Sequence, residues 1–427
     1  MPVPPADEKH LTISCGVKIE GRPIWAEIHT HELEANLRAI RRHLDSSAPA
    51  EARSGAKKEA ERHKRVRILA VVKGDGYGHG AAGAAKAFAK AGADWFGVTC
   101  SAEGAELRES GICKPILVLT GFWDGEEQRL IEFNLTPAVT HCSQLLRLER
   151  VARRAARGLR AALGFHVKID SGMNRLGILP DSIDCLARTL GDCPHLRLTG
   201  TFTHFASSED FTSPQTCEQK RVFLSALDHM RACKLSPGLV HMANSAAVIS
   251  RPETWMDMVR PGTNLYGYHQ NYNPPQMRDD AVHQVRLEPA LSFRTRIVSV
   301  KEVPAGVGVG YNARFRAAQP ARIAVLAAGY ADGVPRSLSD CGRVIVKGKF
   351  APLVGNVSMD LAAVDVTSIE DVRVGDIATI YGPDSVGAGT SPEAATQDAS
   401  DVARLLGTRA SDVLCMLGKR VTRIYLH

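Results

Sequence analysis

One lysine stands where an apolar segment gives way to a glycine-rich loop. The segment AVVKGDGYGHG, residues 70–80, places Lys73 directly after a run of β-forming residues and before four glycines within seven residues. A lysine amine can form a Schiff base with an aldehyde or ketone, the covalent link that holds pyridoxal phosphate or an aldolase substrate. An exposed lysine at the end of a strand is the simpler interpretation, and other parts of the sequence decide between the two.

Polar side chains also follow four later apolar runs. These residues are Lys168 and Asp170 with Arg175 beyond them, Thr203 and His204, Asn244 and Ser245, and Arg260, Gly262 and Thr263. Barrel enzymes build their sites from the C-terminal ends of strands, so these side chains are expected on one rim. Ser245 supplies a hydroxyl, and Gly262 and Thr263 supply backbone N–H groups, of the kind that bind phosphate. A strand-end lysine beside a phosphate pocket favours pyridoxal phosphate, although a Schiff-base aldolase acting on a sugar phosphate uses similar groups.

The elements that would position these side chains follow a regular order. Eight apolar runs lie between residues 68 and 261, and helical patterns separate most of them. Continuous apolar strands suit a parallel sheet covered on both faces, and eight such units predict a (β/α)₈ TIM-type barrel over an open sheet. After about residue 285, strand-like runs are separated by Gly, Pro and Asp turns. The fold class is therefore α/β, with an N-terminal barrel followed by a C-terminal, mostly-β domain.

Domain boundaries follow from the same patterns. Residues 1–20 are expected to form a flexible tail, residues 21–285 the barrel, and residues 286–427 the β domain, to which residues 21–28 could add an initial strand. Residues 45–65 are rich in Ala, Ser, Lys, Arg and Glu, and residues 382–398 in Gly, Ser, Pro and Asp. Both are interpreted as exposed insertions or loops.

Composition limits the class of protein. The 427 residues are 44% hydrophobic and 23% charged, with a formal charge of +7, as is ordinary for a soluble globular protein. The densest basic stretch is interrupted by acids, so nucleic-acid binding is not expected. The sequence predicts neither a membrane span nor a signal peptide. Ten scattered cysteines without a CxxC pair indicate reduced thiols, neither a disulfide framework nor a metal site, and hence a cytoplasmic protein.

Eight motifs together carry a resemblance to a known family. AVVKGDGYGHG resembles the pyridoxal-lysine motif of bacterial alanine racemases. The stretches KIDSGMNRLG, THFASSED, HMANSAA, VRPGTNLYG, GVGYNARF, GYADGVPR and GNVSMD follow in that family's order, between about residues 68 and 360. The resemblance implies pyridoxal 5'-phosphate as cofactor and the interconversion of L-alanine and D-alanine, with D-alanine supplied for peptidoglycan.

The same resemblance implies a role for individual residues in holding the cofactor. Lys73 would bind it covalently, Arg260 would face the pyridine nitrogen and Arg175 the phenolic oxygen. The phosphate would be received by Tyr77, Ser245, Gly262 and Thr263, with Asn244 beside them in the cofactor site.

Two bases on opposite faces of the substrate carry out racemisation better than one base on one face. The resemblance implies that Lys73 serves one face and Tyr311 the other, with His204 bridging Tyr311 to Arg260. In the family this tyrosine comes from the β domain of the partner subunit, so a head-to-tail homodimer is expected. The substrate would be bound by Arg175, Tyr311, Tyr330, Met359 and Asp360, with Tyr330 at the entrance.

Lys168 matches a lysine that is carbamylated in some members of the family. Its CO₂ adduct would be an anion that holds Arg175 in place, whereas a plain lysine paired with Asp170 is the alternative. A few positions depart from the usual pattern: glycines at 74 and 76, Asp75 in place of a frequent asparagine, and Val334 where a bulkier residue is often seen. These departures leave cofactor affinity and substrate breadth open.

Two alternatives to an alanine racemase remain. A racemase of broader range would act on serine or other small amino acids. A non-catalytic pyridoxal-phosphate-binding protein would share the barrel, but such proteins consist of the barrel alone, so the β domain and Tyr311 argue against it. Related decarboxylases of basic amino acids would be expected to place an acidic residue where this sequence has Arg260.

Overall fold

The computed structural model describes residues 21–46, 65–155, 162–383 and 395–427. The tail expected at residues 1–20 lies outside the described residues, as does most of the insertion expected at 45–65 and of the loop expected at 382–398. The chain divides into two compact units. The barrel unit comprises Leu33–Gly76 and Ala81–Glu288, and the β unit comprises the chain up to Glu32, Tyr77–Gly80 and Pro289–His427.

Strands are numbered along the chain, and the first, β1 (Ile24–His29), belongs to the β unit. The barrel unit contains the next eight. They are β2 Arg67–Val71, β3 Trp95–Val98, β4 Ile116–Val118, β5 Thr136–Val139, β6 Leu163–Lys168, β7 Leu196–Phe202, β8 Leu239–His241 and β9 Met258–Val259. They lie in one parallel sheet in chain order, with β9 returning beside β2. The Arg260 N–H donates to the Ala243 carbonyl at 3.0 Å beyond β8 and β9 and helps to close the sheet, so the predicted barrel is confirmed.

Helices alternate with these strands. They are α1 Thr30–Ser46, α2 Ala81–Ala91, α3 Ser101–Glu109, α4 Glu127–Glu132, α5 Ser143–Ala155, α6 Ile183–Gly191, α7 Gln215–Ala232, α8 Ser245–Ser250 and α9 Gln276–Gln284. In α1, Leu37, Ile40 and Leu44 lie at helical spacing and are all buried, because one stripe of an amphipathic helix packs on the sheet. Ile68 and Leu69 are adjacent in β2 and both are fully buried, as expected for a strand covered on both faces.

The β unit is built on one long strand. Besides β1 it contains β10 Leu291–Val303, β11 Gly308–Val309, β12 Phe315–Arg316, β13 Ala321–Leu326, β14 Arg343–Val346, β15 Lys349–Val354, β16 Ala362–Asp365, β17 Ile377–Tyr381 and β18 Thr422–Leu426, with helices α10 Ala399–Leu406 and α11 Ala410–Cys415. The first half of β10 pairs with β17 and the second half with β13. The order β10-β13-β16-β15-β14-β17 therefore closes back on β10, which confirms a mostly-β C-terminal region.

The two ends of the described chain lie side by side in the β unit. Strand β1 pairs antiparallel with β10 and parallel with β18. No strand was expected at β18, and the apolar spacing of residues 400–417 is typical of a single helix. Gly407 interrupts that pattern with φ 64°, a left-handed conformation that ends α10 and that glycine adopts without strain.

Candidate active site

The loop after β2 makes one left-handed turn. The φ values are 62° at Gly74, 52° at Asp75, 60° at Gly76 and 53° at Tyr77. Glycine adopts positive φ as readily as negative φ, and aspartate tolerates it better than most residues. The composition of the GDGY segment is thus explained by the backbone path that follows Lys73.

Contacts within the barrel unit hold the backbone around Lys73. The N–H of Gly74 donates to Glu103 at 2.8 Å, and the Tyr266 hydroxyl donates to the Val71 carbonyl at 3.0 Å. The carboxylate of Asp75 accepts from the Ala81 N–H at 2.9 Å, at the start of α2. The amine of Lys73 is thus presented from a fixed strand end, as a reacting group requires.

Arg260 lies buried inside the barrel, and none of its hydrogen-bond acceptors within the described residues is a carboxylate. Its guanidinium donates to the carbonyls of Thr203 (2.7 Å) and Met242 (3.1 Å), and it lies 3.0 Å from Nδ1 of His241 and 3.3 Å from Nδ1 of His204. Burial lowers the pKa of Arg260 to about 9. Burial, and secondarily the charge of Arg260, lower the pKa of both histidines well below the ordinary value. Neutral imidazoles can accept from the guanidinium, which is therefore held in one orientation.

Lys168 ends β6 among other cations. Its side chain is 5% exposed, and its Nζ lies 5.7 Å from the centre of the Phe202 ring. Burial, followed by the charges of Arg175, Arg260 and Lys73, lowers the pKa of Lys168 to about 8. At a given pH, the neutral form of this amine is therefore more abundant than that of an exposed lysine.

Asp170 organises the loop that carries Arg175. One carboxylate oxygen accepts from the N–H groups of Gly172, Met173 and Asn174 at 3.0 Å each, and the other from the Arg175 N–H at 3.1 Å. Within the described residues, no hydrogen bond joins Asp170 to Lys168. The carboxylate thus serves the backbone of the loop, and its charge also opposes the lowering of the Lys168 pKa, so the alternative of a plain lysine paired with Asp170 stays open.

Replacing Asp170 by alanine is expected to destabilise the loop and to displace Arg175. Four N–H groups lose a charged acceptor, so the free energy of unfolding should fall by about 3 kcal/mol. Urea unfolding followed by circular dichroism measures the loss. Asp170→Asn keeps one acceptor oxygen and should lose less; equal stability of both variants and the unchanged protein would contradict the role given to the carboxylate.

Ser245 joins the loop after β8 to the loop after β9. Its hydroxyl oxygen accepts from the N–H of Gly262 at 2.9 Å, and Thr263 opens a 3₁₀ turn, Thr263–Tyr266. The carbonyl oxygen of the Asn244 side chain caps α8 by accepting from the Ala247 N–H and also accepts from a serine hydroxyl. Asn244 thus holds the helix start on which Ser245 stands.

The chemistry of these groups fits an anionic ligand. Lys73, Lys168, Arg175 and Arg260 interact electrostatically, as the lowered pKa of Lys168 shows. The nearby carboxylate of Asp170 is already bound by four backbone N–H groups. A ligand carrying several negative charges would relieve the repulsion between the cations.

The β unit presents a separate set of the expected residues. Tyr311 is 71% exposed, and its carbonyl accepts from the side chain of Asn356 at 3.2 Å. Tyr330 and Met359 lie on neighbouring segments, because the N–H of Ala331 donates to the Met359 carbonyl at 3.1 Å. A Cβ on Gly329 would lie 2.3 Å from that carbonyl oxygen, so only glycine permits this approach.

Two charged residues that the sequence analysis did not identify support this part of the site. Arg420 donates to Asp332 and to Asp360, at 2.6 Å in each case. Asp332 is fully buried and also accepts from the N–H of Gly329 at 2.9 Å. Arg420 offsets the negative charge of Asp360. The repulsion between Asp360 and a carboxylate on a substrate is therefore weaker.

The expected residues therefore fall into two groups, each within one unit. The barrel unit holds Lys73, Lys168, Arg175, His204, Asn244, Ser245, Arg260, Gly262 and Thr263, and the β unit holds Tyr77, Tyr311, Tyr330, Met359 and Asp360. His241 was missed although it opens the quoted HMANSAA motif. Arg420 was missed because nothing in its local sequence indicates that it pairs with two distant carboxylates.

Two family models match the chain. The alanine racemase N-terminal domain matches residues 53–270, and the alanine racemase C-terminal domain matches residues 290–425. Among curated relatives, the alanine racemase of Halothermothrix orenii is 34% identical over 95% of this chain and 97% of its own length. That of Symbiobacterium thermophilum is 36% identical with the same coverage.

Several solved structures are similar to this chain in both fold and sequence. The alanine racemase of Clostridium difficile 630 is 29% identical, with a TM-score of 0.80 and coverage of 96% of this chain and 97% of its own. A Bacillus anthracis alanine racemase with bound L-Ala-P is 28% identical, with a TM-score of 0.81 and coverage of 96% of each chain. With both domains matched and relatives above 30% identity along nearly their whole length, this chain belongs to the alanine racemase family.

Proposed function

We propose that this enzyme interconverts L-alanine and D-alanine with pyridoxal 5'-phosphate as its cofactor. The observation that carries the proposal is the cationic end of the barrel, where the charges of Lys73, Arg175 and Arg260 all act on Lys168. The relatives along the whole chain are named alanine racemases, and one solved relative holds L-Ala-P. Both findings support alanine over other small amino acids.

The residues present would hold the cofactor through several groups. Lys73 would bind it covalently, Arg260 would donate towards the pyridine nitrogen, and Arg175 towards the phenolic oxygen. Its phosphate would be received by Tyr77, Ser245, Gly262 and Thr263. When bound, pyridoxal phosphate supplies an electron sink that makes the α-proton of an amino acid acidic.

The chain's own contribution is to move that proton between the two faces of the α-carbon. Lys73 removes or returns the proton on one face, and the hydroxyl of Tyr311 does so on the other. His204, held neutral and 3.3 Å from Arg260, would connect Arg260 to Tyr311. Tyr330, Met359 and Asp360 would surround the small substrate, with Asp360 already paired to Arg420.

We also propose that the active unit is a head-to-tail homodimer in which Tyr311 of each β unit completes the site of the partner. Exposed apolar side chains on the β unit support an interface there, since Val307, four residues before Tyr311, is 46% exposed and Met359 is 53% exposed. Exposed apolar groups of this kind commonly mark surfaces that bind another protein.

Substrate breadth is tested by racemisation assays. We expect L-alanine to be converted with the highest kcat/KM among L-Ala, L-Ser, L-Lys and L-Glu, measured by chiral chromatography of the products. Comparable rates with serine would favour the broader-range racemase that Val334 leaves open. A holoenzyme that binds pyridoxal phosphate but racemises none of them would favour the non-catalytic alternative and overturn the proposal.

Carbamylation of Lys168 is a further part of the proposal. CO₂ reacts with a neutral amine, and a pKa of about 8 makes that form more abundant as the pH rises through 8. We expect a carbamate signal in ¹³C NMR spectra of protein equilibrated with ¹³C-bicarbonate, together with crystallographic density beyond the amine. Lys168→Met should lack both. Wild-type density that ends at the amine, without the NMR signal, would leave Lys168 as a plain lysine.

The cellular role follows from the proposed reaction. D-alanine would be supplied for peptidoglycan, and the enzyme would work in the cytoplasm. Within the described part of the chain, no disulfide joins the cysteines, as is usual in a reducing compartment. Within the described chain, no helix is both long and apolar enough to cross a membrane.

A further inference from the structure

Three side chains of different chemistry converge on the outer helices of the barrel unit. Asp184 lies in the first turn of α6, His229 in the last turn of α7, and Cys233 is the C-cap residue of α7. Nε2 of His229 lies 3.0 Å and Sγ of Cys233 lies 3.2 Å from the same oxygen of Asp184. The three atoms that could bind a metal ion all lie within 4.8 Å of one another.

Helical geometry places two of these groups together. His229 and Cys233 are four residues apart, and the N–H of Cys233 donates to the His229 carbonyl at 3.0 Å, so the helical turn continues through the cap. Residues at this spacing lie on one helix face. Helix α6, which packs against α7, supplies Asp184 from the other side. The three donors therefore come from two elements, as in many metal sites that join parts of a fold.

The two separations from the Asp184 oxygen are close to those in a tetrahedral coordination shell. With metal–oxygen and metal–nitrogen distances of about 2.0 Å and a metal–sulfur distance of about 2.3 Å, ligand atoms in a tetrahedron lie roughly 3.3–3.5 Å apart. The observed 3.0 Å and 3.2 Å differ from these values by a few tenths of an ångström, which small side-chain rotations can supply. All three side chains are at least partly exposed, so an ion can enter from solvent and a water molecule can take the fourth position.

We propose that Asp184, His229 and Cys233 bind a divalent ion of the zinc class on the outside of the barrel. The donor set contains one thiolate, one imidazole and one carboxylate, which suits Zn²⁺, whereas Mg²⁺ prefers oxygen ligands alone. On binding, the S–H bond of Cys233 breaks, a metal–sulfur bond forms, and the proton passes to solvent. No electron is transferred. Without metal, the thiol donates to Asp184, which raises the pKa of Cys233.

The proposed site runs counter to the expectation from the sequence that the cysteines bind no metal. That expectation rested on the absence of a CxxC pair, a pattern in which neighbouring residues supply the ligands. Here the carboxylate comes from a residue 45 positions before the histidine, so no local pattern could show it. A bound ion would join α6 to α7 and would stabilise the barrel unit in proportion to its binding free energy.

Cobalt substitution of the holoenzyme tests the proposal. Co²⁺ titration, with the spectrum of the metal-free holoenzyme subtracted, should give a thiolate-to-cobalt charge-transfer band together with the visible bands of a tetrahedral ion. Zn²⁺ should abolish these bands by competition and Mg²⁺ should not. Cys233→Ser should lose the charge-transfer band, and His229→Ala and Asp184→Asn should each raise the Kd by at least about tenfold. Zn²⁺ should also raise the unfolding temperature of the unchanged holoenzyme but not that of Cys233→Ser.

A second cysteine on the same helix provides the matched control. Cys217 is exposed in α7, and Cys217→Ser should keep the full cobalt spectrum. An undiminished charge-transfer band in Cys233→Ser would show that another thiol holds the ion and would overturn the proposal. The absence of tetrahedral bands in the wild-type holoenzyme at saturating Co²⁺ would overturn it as well.

Discussion

Replacing Lys73 by alanine is expected to abolish racemisation while leaving the fold intact. The proposed mechanism uses this amine twice, as the covalent link to the cofactor and as the base on one face of the substrate. We therefore expect kcat/KM for L-alanine to fall by at least about 10⁴-fold. The side chain is exposed, and the turn after it is held by Gly74 and Asp75, so stability should change little. Chiral chromatography of the products measures the rate, and circular dichroism measures the fold.

A lysine on the neighbouring helix provides a control for the Lys73→Ala variant. Lys86 is exposed on α2, and Lys86→Ala removes the same charge and the same volume from the barrel unit. It should retain nearly full activity and bind the cofactor with its normal yellow colour. If Lys73→Ala kept more than a tenth of the wild-type rate, Lys73 could be neither the covalent link nor an essential base.

Replacing Tyr311 by phenylalanine is expected to remove the second base without disturbing the β unit. Only the hydroxyl is lost, and the side chain is 71% exposed, so the free energy of unfolding should change by less than about 0.5 kcal/mol. The rate constant kcat should fall by about 10²- to 10⁴-fold, the usual effect of losing a positioned acid–base group. Steady-state racemisation in both directions measures it. Tyr330→Phe, in the same unit, should change kcat by less than tenfold if Tyr330 only lines the entrance.

Mixed dimers link the two variants and test the shared site. If Tyr311 completes the site of the partner, a dimer of one Lys73→Ala and one Tyr311→Phe subunit holds one site with both changes and one with neither. Random exchange of equal amounts should then restore about a quarter of the wild-type activity. Were each site built from a single chain, mixing would restore nothing, and Tyr311 would have to act within its own subunit.

Much of the barrel could be predicted because its signals are local. Each of the eight strands shows a run of apolar residues, and helical patterns fill most of the intervals, so the parallel order follows from chain connectivity alone. The apolar runs do not mark the strand ends closely; β7 ends at Phe202, whereas the run LRLTGTFTHF continues to Phe205. Hydrophobicity continues where the backbone has already turned, since Phe205 remains buried beyond the sheet.

The residues that hold the site in place could not be predicted, because their contacts join distant parts of the sequence. Asp332 and Arg420 are 88 residues apart, and although Asp332 lies in the GYADGVPR motif, no local pattern indicates that the two side chains pair. The pairing of β1 with β18 is also non-local and parallel, without a hairpin turn to mark it. The reactive residues themselves could be proposed because several motifs occur in one order, whereas the groups that orient them depend on tertiary contacts.

The adjacency of β1 and β18 has a consequence for synthesis on the ribosome. All strands of the barrel have emerged before the last third of the chain is made, but β1 must wait for β10 and then for the final residues that form β18. Until then an edge of β1 lacks its partner, and unpaired strand edges favour aggregation. A nascent chain that stalls near its end would therefore carry every proposed catalytic group and still be a target for chaperones or proteases.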